Sequence, residues 1–154
     1  MKTEFWCIGK TEDSYIKEGL GIYQKRLGNY LSFSYKEIIA VTKNATAELQ
    51  KDAEKNAIIK LLKATDFLVL LDEKGTTFSS IGFADFLQKK FNSVSGSIIF
   101  LVGGAYGVHE EVYERAQAKI ALSEMTFTHQ MVRLIFLEQL YRALTILRNE
   151  PYHH

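Results

Sequence analysis

With 154 residues, at roughly 100 to 200 residues per domain, the chain has room for one domain and none for a multidomain assembly. Its 47% hydrophobic, 12% aromatic and 24% charged residues exclude a disordered chain and supply ample apolar surface for a core. Lys and Arg number 19 against 18 Asp and Glu, a formal net charge of +1, which argues against holding nucleic acid by bulk charge alone.

The first apolar run, Phe5-Trp6-Cys7-Ile8, reads as a strand. Met1-Lys2-Thr3-Glu4 leads straight into it without a secretory leader, and no run approaches the ~18 apolar residues of a membrane span. A soluble cytoplasmic protein is expected. Cys7 is the only cysteine, so a buried free thiol is expected in place of an internal disulfide. Residues 14–27 follow a helical period through Tyr15, Ile16, Leu20, Tyr23 and Leu27, and residues 33–40 read as a second strand. Residues 44–63 are helical through Ala45, Leu49, Ala53, Ala57, Ile58 and Leu61, with Asn44 or Thr46 as cap.

Phe67-Leu68-Val69-Leu70-Leu71, bounded by Asp66 and Asp72, has the unbroken apolar character of a strand buried on both faces. A helix capped near Ser79 or Ser80 runs through Phe83, Phe86, Leu87 and Phe91, and Ile98-Ile99-Phe100-Leu101-Val102 is a second buried strand. Residues 109–118 look helical, residues 120–122 look like a short last strand, and residues 131–147 form a long final helix. Strand and helix in alternation predict an α/β domain over residues 1–154, a parallel sheet with helices on both faces. Only Pro151 occurs, and no low-complexity tract or internal repeat divides the chain.

Ligands of open α/β sheets bind beyond the carboxyl ends of the strands. Three such ends stand out: Leu71-Asp72-Glu73-Lys74, Gly103-Gly104-Ala105-Tyr106-Gly107, and the run from Leu122 to His129. Gly103 and Gly104 remove Cβ atoms where a backbone must be approached closely, or they simply make a tight strand-to-helix turn. Neither a Rossmann G-x-G-x-x-G, nor a P-loop, nor a G-x-S-x-G hydrolase elbow occurs. No set of His, Cys and carboxylates has metal-ligand spacing, so no metal is expected.

Basic residues are unevenly distributed. All four His (109, 129, 153, 154) and four of the five Arg (115, 133, 142, 148) lie in the last 46 positions, whereas the first 100 residues hold 13 Lys and only Arg26. Arginine offers a planar fork suited to phosphate or a nucleobase, so the C-terminal end reads as the functional one. On the last helix, Val132, Ile135, Phe136, Leu140, Ala143 and Leu147 form an apolar face, broad enough for a homodimer contact, and Glu138, Arg142, Thr145 and Asn149 share a polar stripe. An ordinary i,i+4 pair with Glu138, about 0.3 to 0.5 kcal/mol, would account for Arg142 without any function. His129 and Arg133 could be structural or functional, and His153 and His154 could be a frayed tail.

Taken together, Leu101-Val102-Gly103-Gly104 with Gly107, Leu122-Ser123 with Met125-Thr126-Phe127 and His129, Gly9-Lys10 after the first strand, and Tyr141-Arg142-Ala143 with Pro151-Tyr152-His153 resemble the bacterial 23S ribosomal RNA pseudouridine N3-methyltransferases of the SPOUT superfamily, over essentially the full length. The resemblance implies a C-terminal trefoil knot, although knots are very rare among folds, a homodimer, and S-adenosylmethionine as cofactor, without a metal. Carried over by position, it implies a cofactor site at Leu71, Gly103, Gly104, Leu122, Ser123, Glu124, Met125, Thr126 and Phe127. It also implies RNA binding and catalysis by Arg142, Tyr152 and His153, completing a pocket on the other subunit. Thr128 where proline is common, Ala105-Tyr106 in the glycine loop, and His154 where a base often follows depart from the family pattern. A SPOUT enzyme acting on transfer RNA or another ribosomal position, and a non-catalytic α/β ligand-binding protein, remain as alternatives.

Overall fold

A computed structural model describes residues 2–40 and 42–154; Met1, which opens the Met1-Lys2-Thr3-Glu4 segment, lies outside the described residues. In chain order the elements are β1 (Lys2–Ile8), α1 (Ser14–Leu27), β2 (Ser32–Ile38), α2 (Ala47–Leu61), β3 (Phe67–Thr77), α3 (Ser80–Ser93), β4 (Ile98–Val102), α4 (Glu110–Arg115), β5 (Ala118–Ala121) and α5 (Met131–Leu147). The five strands form one sheet in the order β2-β1-β4-β3-β5, and every neighbouring pair is parallel.

Alternate residues of each strand face opposite sides of a sheet, and both sides here are covered by helices. Phe5, Cys7, Val69, Phe100 and Val102 face a thick layer made by α1, α3 and α5. Phe136 of α5 sits at its centre, with its ring centroid 4.6 Å from that of Phe5 and 4.8 Å from that of Phe100. Trp6, Ile8, Leu68, Leu70, Ile99 and Leu101 face a thinner layer supplied by Ile58 of α2 and Val112 of α4. Strands covered on both faces need apolar residues throughout, which explains the uninterrupted runs in β3 and β4. Cys7 is buried in the thick layer, and burial pushes its thiol up to about 12.

Helix starts follow their caps. The Thr46 hydroxyl accepts from the Leu49 N–H at 3.2 Å and the Ser79 hydroxyl from the Gly82 N–H at 3.0 Å, satisfying first-turn donors that have no helical partner. Thr46 is therefore the cap of α2, and Asn44 instead takes a left-handed turn at φ 55°.

Several boundaries differ from the sequence expectation: β1 begins at Lys2 ahead of Phe5, β2 ends at Ile38 short of Ala40, and α2 is trimmed to Ala47–Leu61. The helix expected over 109–118 is the shorter α4, and the last strand begins at Ala118, ahead of Ile120. Gln117 explains the switch: its N–H donates to the Leu68 carbonyl at 2.9 Å and its side-chain oxygen accepts from the Leu68 N–H at 2.8 Å. The chain is thereby drawn onto β3 as soon as α4 ends.

β3 also runs six residues past Leu71, through the polar stretch to Thr77. Ile120 pairs with both Leu71 and Thr76, across a break in register, so residues 72–75 bend out and return over β5. A Cβ on Gly75 would lie 2.6 Å from the Ile120 nitrogen and the Lys119 carbonyl carbon. Only a glycine lets the two backbones approach that closely.

Candidate functional site

The carboxyl ends of β3, β4 and β5 frame a cleft of about 780 Å³, within the size range of small-molecule sites. Its walls are mainly apolar, with Leu70, Leu71, Val102, Val108, Ile120, Leu122, Met125, Phe127 and Val132 contributing. Asp72, Glu73, Lys74, Ser123 and His129 supply the polar groups. Of the nine expected cofactor residues, Leu71, Gly103, Gly104, Leu122, Ser123, Met125 and Phe127 line this cleft. Glu124 and Thr126 lie on the exposed side of the same loop, outside the lining.

The glycine loop is shaped by its own neighbours. The Gly107 N–H donates to the Gly104 carbonyl at 3.0 Å, closing a turn over Ala105 and Tyr106, and Gly107 has φ +78°, a conformation that favours glycine. A Cβ on Gly103 would meet the Val108 side chain at 2.8 Å, and one on Gly104 would meet a Glu54 carboxylate oxygen at 3.1 Å and Ile8 at 3.3 Å. Side chains at these two positions would press on Val108 within the loop and on Glu54 and Ile8 behind it. Glu54 itself is buried behind the loop, and burial raises its carboxyl above the usual carboxylate range despite a hydrogen bond from Gln50.

Arg133, one of the ambiguous residues, is structural. It is 0% exposed, and its guanidinium donates to the carbonyls of Ile8 (2.8 Å), Gly9 (3.0 Å) and His129 (3.2 Å) and to the Thr11 hydroxyl (2.9 Å). The Glu37 carboxylate stands 3.6 Å away. Beside it, the Gln130 side chain accepts from the Glu12 N–H and donates to the Lys10 carbonyl. Together they tie the end of β1 to the chain that leaves the 122–127 loop. His109 caps α4, its Nδ1 accepting from the Glu111 N–H at 3.0 Å, while its Nε2 stands 3.0 Å from Asp52.

A second cluster forms where α5 ends. Glu150 N–H donates to the Thr145 carbonyl at 2.9 Å and Asn149 N–H to the Ile146 carbonyl at 3.0 Å, with Asn149 at φ 56°. This is a Schellman turn followed by a proline, and it sends Tyr152 and His153 back along α5. Arg142 bonds Glu138 at 2.5 Å, its Nη1 lies 3.3 Å from His153 Nδ1, and its guanidinium carbon lies 4.8 Å over the Tyr152 ring. The Tyr152 hydroxyl donates to Glu138 at 3.1 Å.

The i,i+4 pair of Arg142 with Glu138 is thus present, and it is one edge of a larger cluster holding Arg142, Tyr152 and His153 together. Burial and the neighbouring Tyr23 and Glu138 push the Tyr152 phenol up, and the bond to Glu138 raises Arg142. The phenol stays neutral and the guanidinium stays charged. An arginine can only donate, so His153 Nδ1 accepts from it and the proton of the neutral ring sits on Nε2. Thr145, expected on the polar stripe, is 0% exposed and donates its hydroxyl back to the Arg142 carbonyl.

The cleft and the cluster are separate within one chain. Val132 lines the cleft and Arg142 lies ten positions further along α5, about 15 Å at 1.5 Å per residue. Tyr23, expected on the apolar face of α1, also joins the cluster, together with Arg26 of α1 and Tyr30 after it, which spacing did not single out. The one signal for them in the sequence is that Arg26 is the sole arginine of the first 100 residues.

Comparison with known proteins bears on this arrangement. The family model described as "Predicted SPOUT methyltransferase" matches residues 1–153. A "Ribosomal RNA large subunit methyltransferase H" from Cytophaga hutchinsonii is 55% identical over 100% of both chains. Proteins of the same name from Flavobacterium johnsoniae and Parabacteroides distasonis are 50% and 49% identical, covering 100% of this chain and 99% of each relative. A parallel sheet with its cleft beyond β3, β4 and β5, matched end to end by that family model and by relatives of equal length, belongs to the SPOUT methyltransferase family.

Proposed function

We propose that the chain methylates N3 of a pseudouridine in 23S ribosomal RNA, using S-adenosylmethionine, on the assembled large subunit or ribosome in the cytoplasm. The cleft carries this reading: it is enclosed by apolar side chains and by the backbone of three loops, which suits an adenine-bearing cofactor that has no phosphate to cradle. The carboxylates of Asp72 and Glu73 at its edge suit the cationic parts of that cofactor. When bound, S-adenosylmethionine supplies a methyl group on a positively charged sulfur. Leu71, Gly103, Gly104, Leu122, Ser123, Met125 and Phe127 would hold it, with Glu124 and Thr126 contributing backbone. A trefoil knot belongs to the same reading, and membership of the SPOUT family supports it.

Methyl transfer to N3 requires the N3 proton to leave, and positioning supplies most of the acceleration. Arg142, held charged by Glu138, is suited to stabilise negative charge developing on the base. His153 can accept the proton at Nδ1 once its contact with Arg142 opens. The roughly 15 Å between cleft and cluster in one chain supports a homodimer in which each C-terminal cluster completes the partner's cleft.

The test is methyl incorporation from labelled cofactor into intact ribosomes, free 23S RNA and transfer RNA. Intact ribosomes are the expected substrate, and Arg142→Ala with His153→Ala should lower turnover about 100-fold or more while the cofactor still binds. Full activity in both variants, or equal rates on free and assembled RNA, would overturn the assignment. Mixing Arg142→Ala protomers with protomers whose cleft is obstructed by Ala105→Trp should restore activity, because one composite site of the mixed dimer is intact.

A further inference from the structure

Two of the five arginines are consumed by the fold. Arg133 is buried, and Arg115 bonds the carbonyls of Lys63 and Asp66 and the Gln117 side chain. The other three, Arg26, Arg142 and Arg148, come from two separate helix ends and meet on one surface, each lying over a tyrosine ring. The Arg26 guanidinium carbon is 5.2 Å from the centroid of Tyr23 and 5.5 Å from that of Tyr141, and that of Arg148 is 4.2 Å from the centroid of Tyr30. The rings themselves are contiguous: Tyr141 packs at 5.9 Å from Tyr23, 5.7 Å from Tyr30 and 4.8 Å from Tyr152.

Charge pairing separates the three. Arg142 is tied to Glu138, whereas among the described residues neither Arg26 nor Arg148 has a carboxylate within 4.0 Å, and both are exposed. The acids of this surface are already engaged, Glu138 by Arg142 and Tyr152, and Glu150 by the Tyr30 hydroxyl. A guanidinium lying over a ring keeps a restricted orientation while N–H groups remain to donate, those of Arg148 beyond the one that reaches the Tyr30 carbonyl at 3.4 Å, so less entropy is lost when an anionic acceptor with two free oxygens, such as a phosphodiester, arrives.

We infer that Arg26 and Arg148 form a phosphate-binding surface that grips the backbone of the ribosomal RNA beside the methylated base. This rests on the reading that the substrate is ribosomal RNA. What favours RNA is continuity: Tyr141 and Tyr152 link Arg26 directly to the Arg142 and His153 cluster. Phosphate contacts position a nucleic acid without reading its sequence, which is the part the base-directed residues leave undone.

The experiment measures KM for ribosomes against KCl concentration for the wild type, Arg26→Ala, Arg148→Ala and Arg26→Lys, with Lys60→Ala on the opposite side of the sheet as a charge-matched control. Cofactor binding by calorimetry and solution mass are recorded for each. Removing either arginine should raise KM about tenfold and flatten the slope of log KM against log salt by roughly 0.7 to 1. The kcat, cofactor binding and mass should stay unchanged, Arg26→Lys should keep the slope while losing part of the affinity, and Lys60→Ala should behave as wild type. An unchanged KM and slope in both alanine variants would overturn the inference. So would a fall to monomer mass, which would make this surface a contact between subunits. If the wild type itself fails to methylate ribosomes, the substrate reading has failed and the inference falls with it, an outcome the wild-type arm identifies by itself.

Discussion

Arg133→Met removes the most heavily bonded side chain of the interior and leaves a similar volume of apolar stem. The guanidinium serves three carbonyls and one hydroxyl, with Glu37 at 3.6 Å. Each buried acceptor left without a donor costs about 1 to 3 kcal/mol, and removing one partner of a buried charge pair costs about 3 to 5 kcal/mol. These are overlapping descriptions of one loss, so about 3 to 5 kcal/mol is expected, against a typical total stability of 5 to 15 kcal/mol. At about 2 to 4 °C per kcal/mol for a chain of this size, the melting temperature should fall by roughly 6 to 20 °C. The assay is thermal unfolding followed by circular dichroism at one fixed protein concentration, since association shifts the apparent midpoint. Arg133→Lys, which offers fewer donors from a single point, should recover about half of the loss. A midpoint within 2 °C of wild type for Arg133→Met would refute the view that this residue clamps β1 to α5.

Two other perturbations test the surroundings of the cleft. Gly75→Ala should lower stability by about 3 kcal/mol or more, because the new methyl would sit 2.6 Å from the Lys119 and Ile120 backbone and overpacking against backbone has no cheap relief; denaturant titration reads it, and an unchanged midpoint would mean that residues 72–75 do not close over β5. Glu54 has a raised carboxyl, so the stability it contributes is present when it is protonated, below the ordinary value of 4.5, and is lost as pH rises through its folded value. Glu54→Gln should therefore melt higher than wild type at neutral pH, with the gain shrinking as pH falls toward 4.5 and absent below it; a gain independent of pH would refute the burial argument.

What the sequence reveals of this fold depends on whether neighbours share one physical reason. Residues 67–71 and 98–102 read correctly because strands covered on both faces have no polar positions. The start of β1 does not show in the pattern, since Thr3 and Glu4 are buried polar residues. Glu4 is kept there by the Trp6 Nε1–H at 2.7 Å and Lys2 at 2.9 Å, partners that no period reports. The extension of β3 past Leu71 is likewise invisible, because Asp72 to Thr77 has loop composition and becomes a strand only through its second pairing with Ile120. At the site, the linear motifs that carry the family resemblance mark both the cleft and the tail. They are silent on Arg133, whose donors are fixed by carbonyls of Ile8 and Gly9 far away in sequence, and on Arg26, which reaches the C-terminal cluster only because α1 and α5 pack together.

The near-zero net charge takes its meaning from where the arginines go. If charge were spread evenly, 19 basic residues against 18 acidic ones would leave nothing to attract a polyanion at physiological salt. Here three guanidinium groups are collected over tyrosine rings at the meeting of α1 and α5, while two others are spent on buried or backbone acceptors. On the inferred surface, the two phosphate contacts of Arg26 and Arg148, at about 0.7 of a counterion released for each along a single strand, would hold an RNA weakly. Such a surface cannot unfold or capture a long naked chain, but it can register one that already presents its phosphates in a fixed arrangement, where the ordering entropy has been spent in assembling the particle. On the proposed reading, low net charge and a preassembled substrate go together: a few placed guanidinium groups align a base with the cleft, and an RNA surface already ordered supplies the rest.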